Sequence, residues 1–577
     1  MSGNEERVYR GEPGIAGAMK RFARDESGVM TIFALYIFVC MIIVVGIGVD
    51  VMRHERDRVH LQATLDRAVL AAADLDQPLP PAQVVADYFA KAGLSDALSN
   101  VAVQQTLGSR TVTATATRNF DTNFMHMIGT DTLAVQTAGT AEERINAVEI
   151  SLVLDVSGSM NWNNRLPNLK VAARDFVDEM FDNSEPNTVT ISVVPYATQV
   201  SAPQELFDLL NVTNEHNYSR CIDFEAGDFN ETTISTTREY PRTMHFDPWD
   251  SNYDGRDDDP KNLVRYPVCE GAASREMMIL EDNRNTLKTF IANLTADGNT
   301  SLDLGMKWGS ILVDPSFQPI TESLSTQGHI PAMFNNRPVV YTDRDTIKVI
   351  VLMTDGENTT QYYIDPAFRE GESNIWWNDQ EEIYSVYVGL DTWDEDWDGI
   401  TNEPLFYWPH TNQWRNHAYG EGVYEETQYT QECTSFRRNG SCRRYRTVAH
   451  TVLVDEPGTA EVVSYADLWA YTSMQRVVRD LYAPWMNDNQ AWNDWYWAPL
   501  EGVDAGPKNA RTLDMCDAAK EAGIIVFTIG FEAPQGGNHI LQQCASSVSH
   551  FFDVDGLEIS DAFDAIASSI RQLRLTQ

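Results

Sequence analysis

Apolar and polar positions divide the chain into segments with different periodicities. Residues 29–49 form an unbroken run without formal charge, long enough for one membrane-spanning helix, which we place at residues 29–51. Residues 52–78 continue with apolar positions on one face of a helix, and such a stripe predicts packing against another element. Residues 79–145 combine a helical stretch with two segments of strand-like alternation, which predicts a small α+β stalk module.

Charged residues around the apolar run predict how the chain is oriented. Basic residues are more numerous before the run than just after it, which favours a cytoplasmic N-terminal segment at residues 1–28 and an exported remainder. A cleaved signal peptide is the alternative interpretation, but the run is long for one and no small-x-small cleavage site follows it. We therefore expect a single-pass membrane anchor.

From about residue 146 to the end, short apolar runs alternate with helical segments. This alternation indicates a parallel or mostly parallel α/β sheet. Two long stretches without strong periodicity, at about residues 203–281 and 359–506, are predicted to be insertions. The second insertion holds 11 of the 14 tryptophans, which favours an aromatic core of its own over rings exposed for binding.

The charge of the chain limits its partners. The formal net charge is −41, which argues against nucleic acid and against docking on an anionic lipid surface, because both need Lys and Arg. The acidic balance fits cation binding or a heavily solvated exterior.

One short stretch carries candidate metal chemistry. Asp155, Ser157 and Ser159 follow an apolar run, so the carboxylate and the two hydroxyls occupy alternate positions of a turn at the end of a predicted strand. Oxygen ligands of this kind suit a hard divalent cation such as Mg²⁺, Mn²⁺ or Ca²⁺. In open α/β sheets, ligands bind at the carboxyl ends of the strands.

This Asp-x-Ser-x-Ser pattern resembles the metal-ion-dependent adhesion site of the von Willebrand factor A (VWFA) family. The resemblance implies a doubly wound, mostly parallel sheet and two further oxygen ligands from distant loops. The candidates are Thr300, before a helical segment, and Asp355, at the end of an apolar strand. In that family, Ser157, Ser159 and Thr300 would bind the ion directly and Asp155 and Asp355 directly or through water. An open position would accept an acidic residue of a partner protein.

Both ends of the chain resemble a second family. Residues 21–28 before the apolar helix and residues 61–73 after it (LQATLDRAVLAAA) are similar to the TadG proteins of the bacterial Flp (tight-adherence) pilus machinery, as are residues 516–520, 528–531, 544–547 and 573–576. The resemblance implies an inner-membrane protein whose large C-terminal head is exported to the periplasm or cell surface. Its partner would be another pilus or envelope component.

Six of the seven cysteines lie outside the apolar run. An even number in an exported region suggests disulfides, and no Cys-x-x-Cys pair supports the zinc alternative. They form three pairs that are close in sequence, and the TadG resemblance adds support for the third. The predicted pairs are Cys221 with Cys269, Cys433 with Cys442, and Cys516 with Cys544.

Each insertion contains one acidic loop of the Asp-x-[Asp/Asn]-x-Asp-Gly type. Alternate oxygens followed by glycine can converge on Ca²⁺, although neither loop has the glutamate of an EF-hand at its twelfth position. The alternative is an acidic, solvated turn. The candidate ligands are Asp250, Asn252 and Asp254 in the first loop, and Asp394, Asp396 and Asp398 in the second; Asp257 to Asp259, or Glu403, could complete such a site.

Taken together, these patterns predict a membrane-anchored protein of Flp pilus assembly or adhesion. Its exported VWFA head would bind a divalent cation and use it to capture a protein partner. The alternative is a structural envelope scaffold in which the metal only braces the loops. Catalysis is not expected, because the sequence has no Gly-rich phosphate loop and its histidines follow no catalytic spacing.

Overall fold

The computed structural model describes residues 15–24, 27–74, 77–105, 109–144, 147–182, 184–343 and 345–576. Residues 1–14 and 25–26 of the predicted cytoplasmic segment lie outside the described residues. The chain divides into two compact units, Met1–Ile145 and Asn146–Gln577.

The first unit packs a long helix on a small antiparallel sheet of order β1-β2-β3. Its elements are α1 (Ile15–Phe22), α2 (Ser27–Ala73), α3 (Pro81–Lys91), β1 (Leu98–Gln105), β2 (Ser109–Asp121) and β3 (Thr132–Arg144). The predicted membrane and juxtamembrane helices belong to one continuous helix of 47 residues, α2. Its predicted apolar stripe, from Leu61 to Ala72, is buried against the sheet and α3, which confirms that prediction.

The N-terminal part of α2 has a different environment. Its apolar side chains are mostly exposed, including Val29, Phe33 and Val45. Its length and its mean hydropathy of 2.9 suffice to cross a membrane, although a signal sequence near an N-terminus has the same properties. The helix is therefore consistent with a membrane anchor.

The second unit contains a central sheet, its helices and two long excursions. Its strands are β4 (Ala147–Asp155), β5 (Val189–Tyr196), β6 (Met278–Glu281), β7 (Thr346–Thr354), β8 (Gln361–Ile364), β9 (Glu372–Asn378), β10 (Ile383–Leu390), β11 (Pro404–Trp408), β12 (Gln413–Arg415), β13 (Val423–Phe436), β14 (Cys442–Asp455), β15 (Ala460–Ser464), β16 (Leu500–Val503), β17 (Ile525–Phe531) and β18 (Phe551–Val554). Its helices are α4 (Arg165–Asp182), α5 (Gln204–Phe207), α6 (Arg284–Asn293), α7 (Leu302–Ile311), α8 (Gln318–Thr326), α9 (Tyr465–Tyr471), α10 (Met474–Arg476), α11 (Asp488–Trp492), α12 (Ala505–Glu521), α13 (Gln535–Cys544) and α14 (Glu558–Thr576).

The central sheet has the order β18-β17-β7-β4-β5-β6. Its pairings are parallel except for β6, which runs antiparallel to β5 at one edge. Helices α7, α12 and α13 contribute to the core on one face, and α4, α6 and α14 to the core on the other. Both faces of β4 are buried, as expected of a parallel strand covered by helices on both sides, and the buried residues include the polar Glu149 and Ser151. The predicted mixed α/β class is confirmed.

Helix α7 lies unusually close to the sheet. A Cβ on Gly309 would lie 2.4 Å from Val153 of β4, and one on Gly305 would lie 2.7 Å from Tyr196 of β5. Glycine at these positions allows the close approach. The loop that precedes α7, which carries Thr300, is thereby held against the carboxyl ends of the central strands.

The stretch from residue 359 to 506 forms strands that its sequence pattern did not reveal. Five of them make an antiparallel sheet of order β12-β11-β10-β9-β15, and β13 and β14 form a separate long hairpin. Aromatic side chains including Trp377, Trp469 and Trp495 form a core beside this sheet. The prediction of an aromatic core is confirmed, but this core also includes Met244, Phe246 and Val268 from the first stretch, and Trp393 and Trp397 are exposed.

All three predicted disulfides are present among the described residues. They join Cys221 to Cys269, Cys433 to Cys442 and Cys516 to Cys544. The third connects α12 to the end of α13.

Candidate metal centre

Two predicted ligands lie at the carboxyl ends of neighbouring strands. Asp155 is the last residue of β4, and Asp355 follows the last residue of β7. The strands pair in parallel register, with Leu154 opposite Met353. The two carboxylates are therefore brought to the same edge of the sheet, where open α/β folds bind ligands.

Hydrogen bonds connect these carboxylates through the turn after β4. The Asp155 carboxylate accepts hydrogen bonds from the Ser157 amide at 2.8 Å and the Thr354 hydroxyl at 2.6 Å. The Ser157 and Ser159 hydroxyl oxygens lie 3.1 Å apart, and Ser159 donates to Asp355 at 2.7 Å. Four of the five predicted ligand residues are thus connected by hydrogen bonds, through the Ser157 amide and through the side-chain oxygens of Ser157, Ser159 and Asp355.

Thr300 lies in the adjoining loop. Its neighbour Gly298 accepts a hydrogen bond from the Gly158 amide at 2.9 Å, which joins this loop to the turn after β4. The Thr300 hydroxyl oxygen lies 3.9 Å from the position of a Cβ on Gly356, directly after Asp355. Within the described residues, this hydroxyl makes no hydrogen bond, so its oxygen is available to a ligand.

The backbone of Thr300 is held by a buried lysine. Lys508 of α12 donates to the Thr300 carbonyl at 2.9 Å and to the Ser301 hydroxyl at 2.6 Å. Burial lowers the pKa of Lys508 to about 8. The buried lysine therefore positions the loop through the Thr300 carbonyl and the Ser301 hydroxyl, not through the Thr300 side chain.

Burial dominates the electrostatics of the carboxylates. Burial and, to a smaller extent, the negative charge of Asp355 together raise the pKa of Asp155 to about 7, against hydrogen bonds from Thr354 and Ser157 that lower it. Burial also raises the pKa of Asp355, against hydrogen bonds from Ser159 and Arg165 that lower it. Two neighbouring buried carboxylates disfavour the ionised state unless positive charge is supplied.

Two further charged groups lie at this site, a cation and a third carboxylate, and neither was predicted from the sequence. Arg165, the first residue of α4, forms ion pairs with Asp355 at 2.8 Å and with Glu532 at 2.9 Å. Burial acts to lower the pKa of Arg165, but the bonds to these carboxylates raise it overall. Glu532 directly follows β17, so the strand-end argument that selected Asp355 also applies to it. No spacing in the sequence pointed to Arg165.

The two acidic loops differ in the structure. In the second, oxygens of Asp394 and Asp396 lie within 4.8 Å of one another and of Asp391, and Asp398 groups with Asp396 and Glu403 in the same way. Asp391 was not predicted, and it is fully buried.

In the first loop, the acidic side chains have separate partners. Asp254 accepts from the Tyr384 hydroxyl at 2.9 Å, and Asp250 accepts from the Asn252 amide at 2.8 Å. No grouping of three acidic oxygens within the described residues includes either carboxylate. Calcium binding by both loops stays a prediction.

The fold and the site define an α/β protein with an oxygen-lined centre at the carboxyl edge of a mostly parallel sheet. Residues 28–75 match the model of the family "Putative Flp pilus-assembly TadE/G-like". This match confirms the TadG resemblance for the N-terminal part of the chain. No curated protein sequence matches the chain significantly.

Several solved structures of pilus proteins are similar to this chain. The von Willebrand domain of the type V pili tip protein Mfa5 from Porphyromonas gingivalis is 15% identical, with a TM-score of 0.30 over 75% of this chain and 98% of that one. The PilB minor pilin from Streptococcus sanguinis is 12% identical, with a TM-score of 0.27 over 82% and 78%. The adhesive tip pilin GBS104 from Group B Streptococcus agalactiae is 12% identical, with a TM-score of 0.27 over 74% and 100%.

Proposed function

We propose that the second unit is a VWFA-type head that binds a divalent cation through Asp155, Ser157, Ser159, Thr300 and Asp355. The chain would act in Flp pilus assembly or adhesion, anchored in the bacterial inner membrane by α2. The bound cation would capture an acidic residue of another pilus or envelope protein. The acidic loops of the two insertions are secondary candidates for Ca²⁺.

The observation that carries this proposal is the hydrogen-bonded series of residues from Asp155 through Ser157 and Ser159 to Asp355. The Ser157 amide donates to Asp155 at 2.8 Å, the Ser157 and Ser159 hydroxyl oxygens lie 3.1 Å apart, and Ser159 donates to Asp355 at 2.7 Å. Mg²⁺ and Mn²⁺ prefer carboxylate and hydroxyl oxygens. A merely structural turn would not need two buried carboxylates at its base.

The charges at the site also support a divalent cation. Asp155, Asp355 and Glu532, when ionised, carry three negative charges, and within the described residues Arg165 is the one cation paired with them. Two negative charges are therefore unbalanced, which a divalent cation would neutralise. A cation held mainly by neutral hydroxyls stays electrophilic, which favours capture of a carboxylate from a partner.

The residues around the ion would each have a defined task. Thr354 orients the Asp155 carboxylate through its hydroxyl, and Arg165 holds one oxygen of Asp355 while Ser159 holds the other. Lys508 fixes the backbone of Thr300. These contacts keep the ligand oxygens oriented, which lowers the cost of ordering them when a cation binds.

The experiment is a titration of the full-length protein in detergent with Mn²⁺, followed by its paramagnetic resonance. We expect Asp155→Ala and Ser157→Ala to remove the signal of the site while circular dichroism stays unchanged. Asp514→Ala, an exposed carboxylate on α12, is the matched control and should bind as the wild type. Unchanged Mn²⁺ binding by Asp155→Ala would refute the metal site.

Partner capture is tested separately from metal binding. Envelope proteins that co-purify with the full-length chain are compared in Mg²⁺ and in EDTA, for the wild type and for Asp155→Ala. Loss of the same partner in EDTA and in the variant supports capture through the cation. A partner retained in both conditions would favour the scaffold alternative, in which the metal only braces the loops.

A further inference from the structure

A cleft of about 320 Å³ opens directly beside the candidate metal centre. Its inner wall includes Val156, which follows Asp155, and Gly298 and Asn299, which precede Thr300. Its outer wall comes from the first insertion and includes Trp249 and Tyr266. A ligand held at the metal centre would therefore reach this cleft with its neighbouring groups.

The cleft contains a buried arginine with spare donors. Arg275 is 8% exposed, and its Nη2 donates to the Asp297 carbonyl at 2.8 Å. Within the described residues, its guanidinium makes no other hydrogen bond and no ion pair with a carboxylate. A guanidinium has five N–H donors, so most of its donors remain available to an anion.

The electrostatics of Arg275 agree with this lack of a partner. Burial lowers the pKa of Arg275, and the negative charges of Glu270, Asp297 and Asp155 offset this only in part. A buried cation without a close counter-ion is costly, and a ligand carboxylate would supply the missing charge.

Two further side chains of the cleft have polar atoms that could bind a ligand. Gln199 Oε1 and Ser201 Oγ are buried and have no hydrogen-bond partner among the described residues. The amide oxygen can accept a hydrogen bond, and the hydroxyl can donate or accept one. A peptide carries both donors and acceptors along its backbone, and its apolar side chains suit walls formed by Trp249 and Tyr266.

The outer wall is held rigidly against the head. The disulfide between Cys221 and Cys269 fixes the segment that supplies Val268 and Glu270 to the cleft. The Met277 amide, two residues after Arg275, donates to the Ser201 carbonyl at 2.9 Å. The guanidinium is thus placed by a covalent link and by backbone pairing, as expected of a preorganised binding group.

We propose that this cleft binds a second carboxylate of the captured protein partner, with Arg275 as the anion-binding residue and Tyr266 and Trp249 as apolar walls. The inference rests on the proposed function for the identity of the partner, but the Arg275 contact itself needs no cation. The ligand class is an acidic peptide segment with apolar neighbours. Its carboxylate comes from an acidic side chain or from a chain terminus.

The test measures binding of three tripeptides to the full-length protein in detergent and EDTA by saturation-transfer NMR. The first is Leu-Glu-Leu with both ends blocked, the second is Leu-Gln-Leu with a free carboxyl terminus, and the third is blocked, neutral Leu-Gln-Leu. We expect at least one charged peptide to bind about tenfold or more tightly than the neutral one, because a hydrogen bond to a charged group contributes at least that much. Which charged peptide binds identifies the source of the carboxylate.

Variants decide whether Arg275 is responsible. Arg275→Gln should remove the advantage of the charged peptide, whereas Arg265→Gln, an exposed arginine of the same insertion, should retain it. Tyr266→Ala changes a half-exposed wall and should weaken binding of every peptide without disturbing the fold. Equal binding of charged and neutral peptides, or unchanged binding by either Arg275→Gln or Tyr266→Ala, would overturn the proposal.

These measurements distinguish a refutation of the cleft proposal from a refutation of the proposed metal centre. Asp155→Ala in EDTA should still bind the charged peptide, because no cation takes part in that measurement. Wild-type protein that binds Mn²⁺ but shows no preference for a charged peptide refutes the cleft alone. Protein that prefers the charged peptide but binds no Mn²⁺ at Asp155 refutes the proposed function and leaves the cleft as an independent anion site.

Discussion

Replacing Arg165 by glutamine tests the charge balance of the metal centre. The side chain is 13% exposed, and its partners Asp355 and Glu532 are 0% and 19% exposed. Removing one member of a buried ion pair usually costs 3 to 5 kcal/mol, and we take about 3 kcal/mol because Arg165 is partly accessible. The variant should therefore be less stable than the wild type in EDTA.

Magnesium should restore most of this loss. A hundredfold excess of Mg²⁺ over its dissociation constant stabilises the folded state by about 2.7 kcal/mol, which is close to the cost of the substitution. Because the ion supplies the positive charge that Asp355 has lost, the stabilisation by Mg²⁺ should be larger in Arg165→Gln than in the wild type. This compensation distinguishes a cation site from a general effect of salt.

The assay is urea unfolding of the full-length protein in detergent, with EDTA or with Mg²⁺, followed by circular dichroism. Arg284→Gln is the matched control, since Arg284 makes partly exposed ion pairs with Asp178 and Asp182 and should cost no more than about 1 kcal/mol in either condition. Equal stability of Arg165→Gln and wild type in EDTA, or an equal gain from Mg²⁺ in both, would show that the reasoning about charge is wrong.

Three further predictions concern stability. Thr354→Val keeps the shape of a fully buried residue but removes the hydrogen bond to Asp155, so it should lower the free energy of unfolding in urea by about 2 kcal/mol. Thr326→Val, on the surface of α8, is the control and should change this free energy little. Burial lowers the pKa of His245 to about 4. As the pH falls from about 6.5 to 4, His245 is therefore protonated in the unfolded state before it is protonated in the folded state. This residue alone should lower the free energy of unfolding by about 2 kcal/mol by pH 5. A pH series in which the stability of His245→Gln declines as steeply as that of the wild type would contradict this. Replacing both Cys516 and Cys544 by serine (Cys516→Ser with Cys544→Ser) removes a disulfide between residues 28 positions apart and should lower the free energy of unfolding by about 3.5 kcal/mol. Unfolding with and without reductant measures this cost, and equal stability of the reduced and oxidised wild type would refute it.

Local sequence patterns predicted much of the architecture. The uncharged run that begins at Val29 identified an apolar helix, and the alternation of apolar strands with helices identified the α/β class. Proximity in sequence was enough to pair Cys433 with Cys442 and the other cysteines. The longest antiparallel strands between residues 359 and 506, β13 and β14, were missed because they pair with each other while nearly all their side chains stay exposed, so no buried face marks them in the sequence.

The sequence by itself determined the elements whose cause is local: the apolar helix, the buried strands, and the turn that aligns Asp155, Ser157 and Ser159. Only the tertiary structure decided which distant groups meet this turn. Ser159 bonds to Asp355, 196 residues away, and Arg165 bonds to Glu532, 367 residues away. The same holds for Arg275, which follows the disulfide-closed segment from Cys221 to Cys269 and lines a cleft together with Val156 and Asn299. Periodicity describes how a segment presents its own side chains, whereas the partners of a buried charge depend on the order in which distant strands enter the sheet.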